Sequence, residues 1–187
     1  MVKKILLGLL AVLVIIQFIR PERNLSNDQT YAVSTKYEVP NEVAGLLKVA
    51  CNDCHSNLTR YPWYANLNPV GWILADHVNE GKEHLNFSDF TRRPVAVQNH
   101  KFEEVIETVE EHEMPLESYT ALGLHADAKL SDAQRQTLIS WARAQMDSLK
   151  AWYPADSLEF RRRRPAAQES HEEEHEEHEE HGGADDD

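Results

Sequence analysis

An unbroken apolar run opens the chain, and the pattern changes to mixed polarity after residue 19. Residues 5 to 16 are all apolar, two lysines precede them, and the charged stretch that ends the run begins at Arg20. A helix over residues 2 to 19 would span about 27 Å, close to the thickness of a bilayer core. No A-x-A-like cleavage site follows the run. We therefore predict an uncleaved transmembrane anchor at residues 1–23.

Four later segments repeat apolar residues at helical spacing. Residues 24–39 lack such a period and predict a polar tether, whereas the segments 41–55, 69–81, 101–113 and 130–152 each predict a helix. We see no convincing strand, so the body, residues 40–153, is predicted to be all-α. The predicted buried positions are Val43, Leu46, Leu47, Ala50 and Cys54 in the first segment, Val70, Ile73, Leu74 and His77 in the second, Phe102, Val105, Ile106 and Val109 in the third, and Leu138, Trp141, Ala142 and Leu149 in the fourth.

Local signals set the ends of these helices. Asn41 is a plausible N-cap, Gly81 is expected to end the second helix, and Pro115 should stop the third helix before Met114. Ser131 and Gln134 match the capping box at the start of the last helix. The order of elements therefore predicts short helices joined by long connections.

The formal charge of −13 is concentrated at the C-terminus. Residues 169 to 187 hold eight Glu and three Asp, and without them 21 acidic residues face 19 basic ones. The body is therefore nearly neutral, and the overall acidity argues against a nucleic-acid partner. Residues 154–187 are predicted to be a disordered, charged tail because the acidic stretch has no apolar residue with which to pack.

The only two cysteines lie in the sequence CNDCH, as Cys51 and Cys54, with His55 directly after them. A structural zinc site would need two further ligands at regular spacing, and a thioredoxin-like pair belongs in a βαβ setting. Covalent haem c explains every element, because both thiols add to haem vinyl groups and the adjacent imidazole becomes the proximal iron ligand. A plain dithiol or disulfide is the remaining alternative.

Several segments resemble the haem-binding domain family of small, monohaem c-type cytochromes of Bacteroidetes-type bacteria. They are CNDCHSNLTRYPWY, HVNEGKEHLNFS, EMPLESY and LSDAQRQTLISWARAQ, and the resemblance covers about residues 40 to 150. It implies a cytochrome c-like helical domain around one covalent haem, facing the periplasm. With the anchor, it implies a single-pass protein of the bacterial inner membrane whose lysine-bearing N-terminus lies inside.

Two residues compete to be the distal iron ligand. Met114 lies in a loop stiffened by Pro115, and the Met-Pro segment of cytochromes c carries over to it by resemblance. The alternative is His77, a lone imidazole on an apolar helix stripe. We favour Met114, although a methionine often only fills a gap in a core.

Aromatic residues follow the attachment site closely. Tyr61, Trp63 and Tyr64, with Trp72 further on, are expected to wall a haem from water. Ordinary core packing explains them equally well. Arg60 is a candidate partner for a haem propionate.

The tail carries a second candidate metal site. His171, His175, His178 and His181 would share one stripe of a helix and could bind zinc, nickel or copper, although a solvated acidic tail is the simpler interpretation.

The predicted function is that of a membrane-anchored monohaem cytochrome c that carries single electrons and is not an enzyme. Periplasmic redox proteins are its expected partners, and it is a candidate subunit of a larger respiratory assembly. The alternative is a haem enzyme or small-ligand sensor, peroxidase-like, with an open or displaceable sixth iron position. His77 would then be the available distal group.

Overall fold

The computed structural model describes residues 1 to 160, which form seven α-helices and no β-strand. The predicted all-α class is therefore confirmed. The predicted tail site at residues 171 to 181 lies outside the described residues. The helices are α1 (Val2–Ile16), α2 (Asn41–Ala50), α3 (Asn52–His55), α4 (Val70–His84), α5 (Val95–Glu110), α6 (Glu117–Thr120) and α7 (Asp132–Trp152). Short 3₁₀ turns lie at Val33–Thr35, Trp63–Asn66, Phe90–Arg92, Ala121–Gly123, Ala126–Ala128 and Ala155–Leu158.

The core forms where α5 packs against α7. Phe102 on α5 is fully buried, and its ring meets Trp141 of α7 edge to face at a centroid distance of 5.6 Å. Leu138 and Leu149 of α7 are also buried. Large apolar side chains at helical spacing thus form the core, as the pattern of these two segments predicts.

The ends of α5 and α7 follow different signals. Ser131 accepts a hydrogen bond from the backbone N of Gln134, whose side chain accepts one from the backbone N of Ser131, so the predicted capping box is present. In contrast, α5 begins at Val95 and ends at Glu110, earlier at both ends than predicted. Pro94 precedes the first turn, where a proline is well tolerated, and His112 adopts a positive φ that takes the chain out of the helix.

The predicted buried face of α4 is wrong. Its buried residues are Gly71, Ala75 and Val78, whereas Val70 and Ile73 are 43% and 54% exposed. Small side chains let α4 approach its neighbours closely, because a Cβ on Gly71 would lie 2.6 Å from the backbone O of Ala65. Close backbone approach has therefore decided which face of α4 is buried.

The segment predicted as a tether is part of the folded domain. Tyr37 is 2% exposed, packs edge to face on Phe102 and donates a hydrogen bond to Gln98. The backbone N of Val33 donates to the O of Phe87 at 2.7 Å. Val33 and Tyr37 of the predicted tether therefore belong to the core.

The helix predicted to cross a membrane is shorter than expected. α1 ends at Ile16 rather than at Ile19, and no residue of it is buried. Its 15 residues extend about 22 Å. In residues 1 to 160, no helix has both the length and the apolar character needed to cross a membrane.

The folded domain also continues past residue 153, where we predicted the tail to begin. Leu158 is buried, and Phe160 stacks on the ring of His100 with a centroid distance of 4.4 Å. The contacts of Ala155–Leu158 are with α5 and α7. A disordered tail from residue 154 is therefore wrong for residues 154 to 160.

Candidate functional site

A break between two helices carries the cysteines and the adjacent histidine. α2 ends at Ala50, Cys51 leaves helical geometry with φ −125°, and α3 restarts the chain for one turn. The backbone N atoms of Cys54 and His55 both donate to the O of Cys51, at 3.2 and 2.9 Å. The predicted continuous helix over 41–55 is thus two helices, and the short second one presents Cys54 and His55 together.

Both cysteines are free thiols and half-buried. Burial, and then the neighbouring Cys54, raise the pKa of Cys51 to about 12. Burial, and then the nearby charge of Asp53, raise the pKa of Cys54 to about 11. Both groups are therefore thiols rather than thiolates at neutral pH, and they form no disulfide with each other.

The His55 imidazole is held in a single tautomer. Its Nδ1 lies 2.8 Å from the backbone O of Gly81 and 3.0 Å from that of Leu85. Because a carbonyl oxygen only accepts hydrogen bonds, Nδ1 must carry the proton and Nε2 must keep its lone pair. Burial lowers the pKa of His55, while the two hydrogen bonds to Leu85 and Gly81 oppose that shift. The ring is therefore neutral, with Nε2 as a free donor atom for a metal.

Gly81 brings α4 against the attachment turn, residues 51–55, where haem attachment is predicted. A Cβ built on it would lie 2.7 Å from the backbone O of Cys54 and 3.0 Å from its Cβ. Gly81 does not end α4 as predicted, since the helix continues to His84. The absence of a side chain at this position is what lets the Gly81 carbonyl reach His55.

Asp53, between the two cysteines, is a buried hub that the sequence did not single out. Its carboxylate accepts hydrogen bonds from Arg60 Nε (3.2 Å) and Nη2 (3.0 Å) and from the Tyr119 hydroxyl (2.7 Å). The hydrogen bond to Asp53 and its charge raise the pKa of Arg60. Arg60, the candidate propionate partner, therefore has a carboxylate partner within the protein.

A stack of rings continues from this hub. Tyr119 lies flat on the His125 ring, with a centroid distance of 4.1 Å and an interplanar angle of 12°. The Tyr64 hydroxyl and His125 Nε2 form a hydrogen bond of 2.8 Å. Burial raises the pKa of Tyr119, and its hydrogen bond to Asp53 raises it further. Only Tyr64 of these three rings was among the predicted pocket residues, because neither Tyr119 nor His125 lies near the cysteines in sequence.

The predicted distal ligand Met114 lies in a loop held from both sides. Its backbone N donates to the O of Thr108 at 3.0 Å, and its backbone O accepts from Arg135 at 2.7 Å. Arg135 also donates to the O of Val109 at 3.1 Å, and the Met114 side chain is half-buried. The start of α7 thus anchors the Met114 loop to the end of α5.

The rival ligand His77 lies on the open face of α4. Ile73, His77 and Gly81 are four residues apart and therefore share one face of the helix, and Gly81 touches Cys54. His77 is half-buried and Ile73 is exposed. The exposed Ile73 and the half-buried His77 thus lie on the face of α4 that leads to the attachment turn.

The other aromatic residues do not form one wall. The Tyr61 hydroxyl accepts a hydrogen bond from the backbone N of Asn24 at 2.8 Å, and the Arg23 guanidinium lies over its ring. Trp63 is 73% exposed and touches Tyr64 edge to face. Trp72 donates its Nε1 hydrogen to the O of Ile19. Tyr61 and Trp72 thus fasten the N-terminal segment.

The donor set fits a covalently bound haem. Two free thiols one turn apart can each form a thioether, and the neighbouring imidazole offers Nε2 with its tautomer fixed by a second shell of carbonyls. Among residues 1 to 160, no group of three or more His, Cys, Asp or Glu side chains could hold a metal ion. Cys51, Cys54 and His55 would hold the haem.

The comparison with known proteins supports haem binding. No curated protein and no solved structure gives a significant match to the chain. A family model described as haem-binding domain matches residues 11–144, and so includes the end of α1 and the segment after it as well as the CNDCH turn. The match covers well over half of the sequence, and the chain therefore belongs to the haem-binding domain family.

Proposed function

We propose that this protein is a monohaem c-type cytochrome, attached to a membrane, that carries single electrons on the periplasmic side. The observation that carries the proposal is the pair of hydrogen bonds from His55 Nδ1 to the carbonyl oxygens of Gly81 and Leu85. They leave Nε2 unprotonated beside two free thiols, which is the arrangement required of a proximal haem ligand. A haem bound there supplies an iron that alternates between the ferric and ferrous states.

The chain's own residues would keep the iron of a bound haem in a constant environment. Gly81 and Leu85 orient the His55 ring, and Arg60 and Tyr119 hold Asp53, so that the attachment turn is fixed on two sides. Rigid surroundings suit electron transfer, since a ligand set that does not rearrange costs no reorganisation when the charge changes. We propose Met114 as the second protein ligand because its loop is held by Arg135.

Covalent attachment is tested by extraction of haem from the denatured protein. Acidified organic solvent should leave haem with the polypeptide of the wild type, and the double variant Cys51→Ala, Cys54→Ala should release it. The control is Asn52→Ala, which changes the same turn and keeps both thiols. Haem that extracts from the wild type would refute the c-type assignment.

Membrane attachment is proposed through α1. Each of its large apolar side chains except the half-buried Ile16 is at least half exposed, so the helix has an apolar surface that no other part of residues 1 to 160 covers. A lipid phase is the environment in which such a surface is stable. Full-length protein should float with vesicles, whereas a chain lacking residues 1 to 15 should stay in solution with its haem. Wild-type protein that fails to float would remove this part of the proposal.

The alternative function is a haem enzyme or small-ligand sensor with an open sixth position. The observation in its favour is His77, whose half-buried imidazole lies on the open face of α4, one turn from Gly81. Such a protein would bind carbon monoxide in the wild-type ferrous form and turn over peroxide. An electron carrier with both axial positions filled would do neither.

A further inference from the structure

The end of α1 is fastened to the body at one point. The side-chain amide of Asn68 donates to the backbone O of Ile16 (2.7 Å) and of Ile19 (2.8 Å), and Trp72 Nε1 also donates to Ile19 (2.8 Å). The side-chain amide of Gln17 donates to the backbone O of Asn68 and accepts from its backbone N, both at 2.9 Å. The bond to Ile16 satisfies a carbonyl that the end of α1 leaves unpaired. The end of α1 is therefore hydrogen-bonded to the loop that leads into α4.

Exposed apolar side chains lie close in sequence to this fastening point. Trp63 is 73% exposed, Leu67 is 49% exposed and Val70 is 43% exposed, and all three lie within five residues of Asn68. Trp63 and Leu67 belong to the turn and loop that lead into α4, and neither side chain packs into the core. Because Asn68 touches the end of α1, this apolar patch lies beside the place where α1 joins the body.

Two arginines meet beside the same patch. Arg20 Nη1 donates to the backbone O of Asn66 and Arg23 Nη2 donates to the Asn66 side-chain oxygen, both at 2.6 Å. They line a cavity of about 390 Å³ together with Tyr61 and Glu22. Within residues 1 to 160, neither arginine forms an ion pair with a carboxylate. Counted with Glu22, the lining of the cavity keeps a net positive charge that can attract an anion.

We propose that this surface seats the body directly on an anionic lipid bilayer. Trp63, Leu67 and Val70 enter the interfacial layer, and Arg20 and Arg23 bind lipid phosphate groups at the mouth of the cavity. Tryptophan is enriched at this depth of a membrane, and juxtamembrane arginines are attracted to anionic headgroups. This inference rests on the proposed attachment through α1, and it adds that the body has a fixed orientation on the membrane.

A photo-crosslinking residue reports on the contact without relying on cysteine chemistry. Benzoylphenylalanine is placed at position 63 in one full-length holoprotein and at position 152 in another. Trp152 is the matched control, since it is also a tryptophan and is 59% exposed, and it ends α7, whose contacts are with α2, α5 and the turn at Ala155–Leu158. The proteins are bound to vesicles of equal parts phosphatidylcholine and phosphatidylglycerol and illuminated. Lipid adducts should form several-fold more at position 63 than at position 152.

The arginines are tested in the same assay. Arg20→Gln with Arg23→Gln should lower the adduct yield at position 63 in the mixed vesicles to the yield seen in pure phosphatidylcholine. Equal adduct yields at positions 63 and 152, in protein that floats with the vesicles, would overturn the proposed contact of the body with the membrane and leave attachment through α1 intact. If the wild type does not float at all, both the attachment and this inference fall.

Discussion

Tyr119 donates a hydrogen bond of 2.7 Å to Asp53, a residue that lies 66 positions earlier and between Cys51 and Cys54. The bond joins α6, which follows the Met114 loop, to the turn that carries His55. The two segments that would supply the axial ligands are therefore connected by a direct side-chain contact. That contact makes the geometry of one segment depend on the other.

Replacing Tyr119 by Phe should destabilise the holoprotein. A hydrogen bond to a charged group contributes about 1.5–3 kcal/mol, and Asp53 would keep only its bonds from Arg60. Urea unfolding of the holoprotein measures the change. Tyr31→Phe is the control, because the Tyr31 ring is 41% exposed and lies against Arg92. An effect no larger than that of the control would show that the contact contributes little.

The contribution of Tyr119 to the free energy of unfolding should fall as the pH rises above the ordinary pKa of a tyrosine. Burial and Asp53 raise the pKa of Tyr119 above its ordinary value of 10.0, so the folded chain holds the phenol proton more tightly than the unfolded chain. The resulting stability is fully present below about pH 10 and is lost as the pH rises further. The difference in unfolding free energy between wild type and Tyr119→Phe should therefore shrink above that pH. A difference that stays constant would contradict the assigned cause.

Gly81→Ala should disturb the proximal side of the haem site. The new Cβ would meet the backbone O of Cys54 at 2.7 Å, and forced overpacking of this kind costs about 1–3 kcal/mol. Moving α4 away would lengthen the hydrogen bond from His55 Nδ1 to Gly81 and shift the midpoint potential. Redox titration of the purified variant measures this shift.

A second glycine provides the control for this change. Gly45 lies on the exposed side of α2, and a Cβ there would meet nothing within 4 Å. Gly45→Ala should raise the unfolding free energy by about 0.5–1 kcal/mol and leave the potential unchanged. If both variants behave alike, the close approach of α4 is not what positions His55.

Met114→Ala is expected to open the iron. Loss of a thioether ligand should lower the midpoint potential and let the ferrous protein bind carbon monoxide, and visible absorption follows both. His77→Ala is the matched variant and should leave carbon monoxide binding absent. The opposite pattern would identify His77 as the distal ligand and make the centre bis-histidine.

Arg135→Gln should produce a weaker form of the Met114 phenotype. The variant loses the bonds to the carbonyl oxygens of Val109 and Met114, which are 3.1 and 2.7 Å long, and so frees the loop. Partial carbon monoxide binding and a lower potential are expected. Arg143→Gln is the control, since the Arg143 side chain is 57% exposed and its ion pair with Glu110, at 3.8 Å, contributes little. If iron ligation is unchanged in Arg135→Gln, then Arg135 supports only the fold and not the position of Met114.

The sequence predicted best those features that depend on neighbouring residues. Phe102, Val105 and Val109 are buried as their spacing indicates, because a helix needs a continuous apolar stripe to pack. The CNDCH motif predicts haem attachment from five adjacent residues, since attachment needs two thiols and an imidazole within reach of one ring, and the family match supports a haem-binding domain.

Features that depend on distant residues could not be read in this way. The buried face of α4 consists of small residues, because its backbone approaches Ala65 and Cys54, and that approach is a property of the whole fold. The hydrogen bonds of Asp53 could not be predicted from the sequence, since its partner Tyr119 lies 66 positions away on another helix. The segment at 24–39 looked like a linker because its core contacts, made by Val33 and Tyr37, follow no helical or strand period.

The position of Gly81 and Leu85 at the end of α4 has an electrostatic consequence for the imidazole they hold. Carbonyl groups in the last turn of a helix carry its negative partial charge, and the Gly81 carbonyl, with that of Leu85 just after the helix, accepts from His55 Nδ1–H. That charge would make Nε2 a stronger electron donor to a bound haem iron and so favour its ferric state. A thioether ligand, which we propose Met114 to supply, would favour the ferrous state. The orientation of α4 and the thioether ligand would thus shift the midpoint potential of the protein in opposite directions.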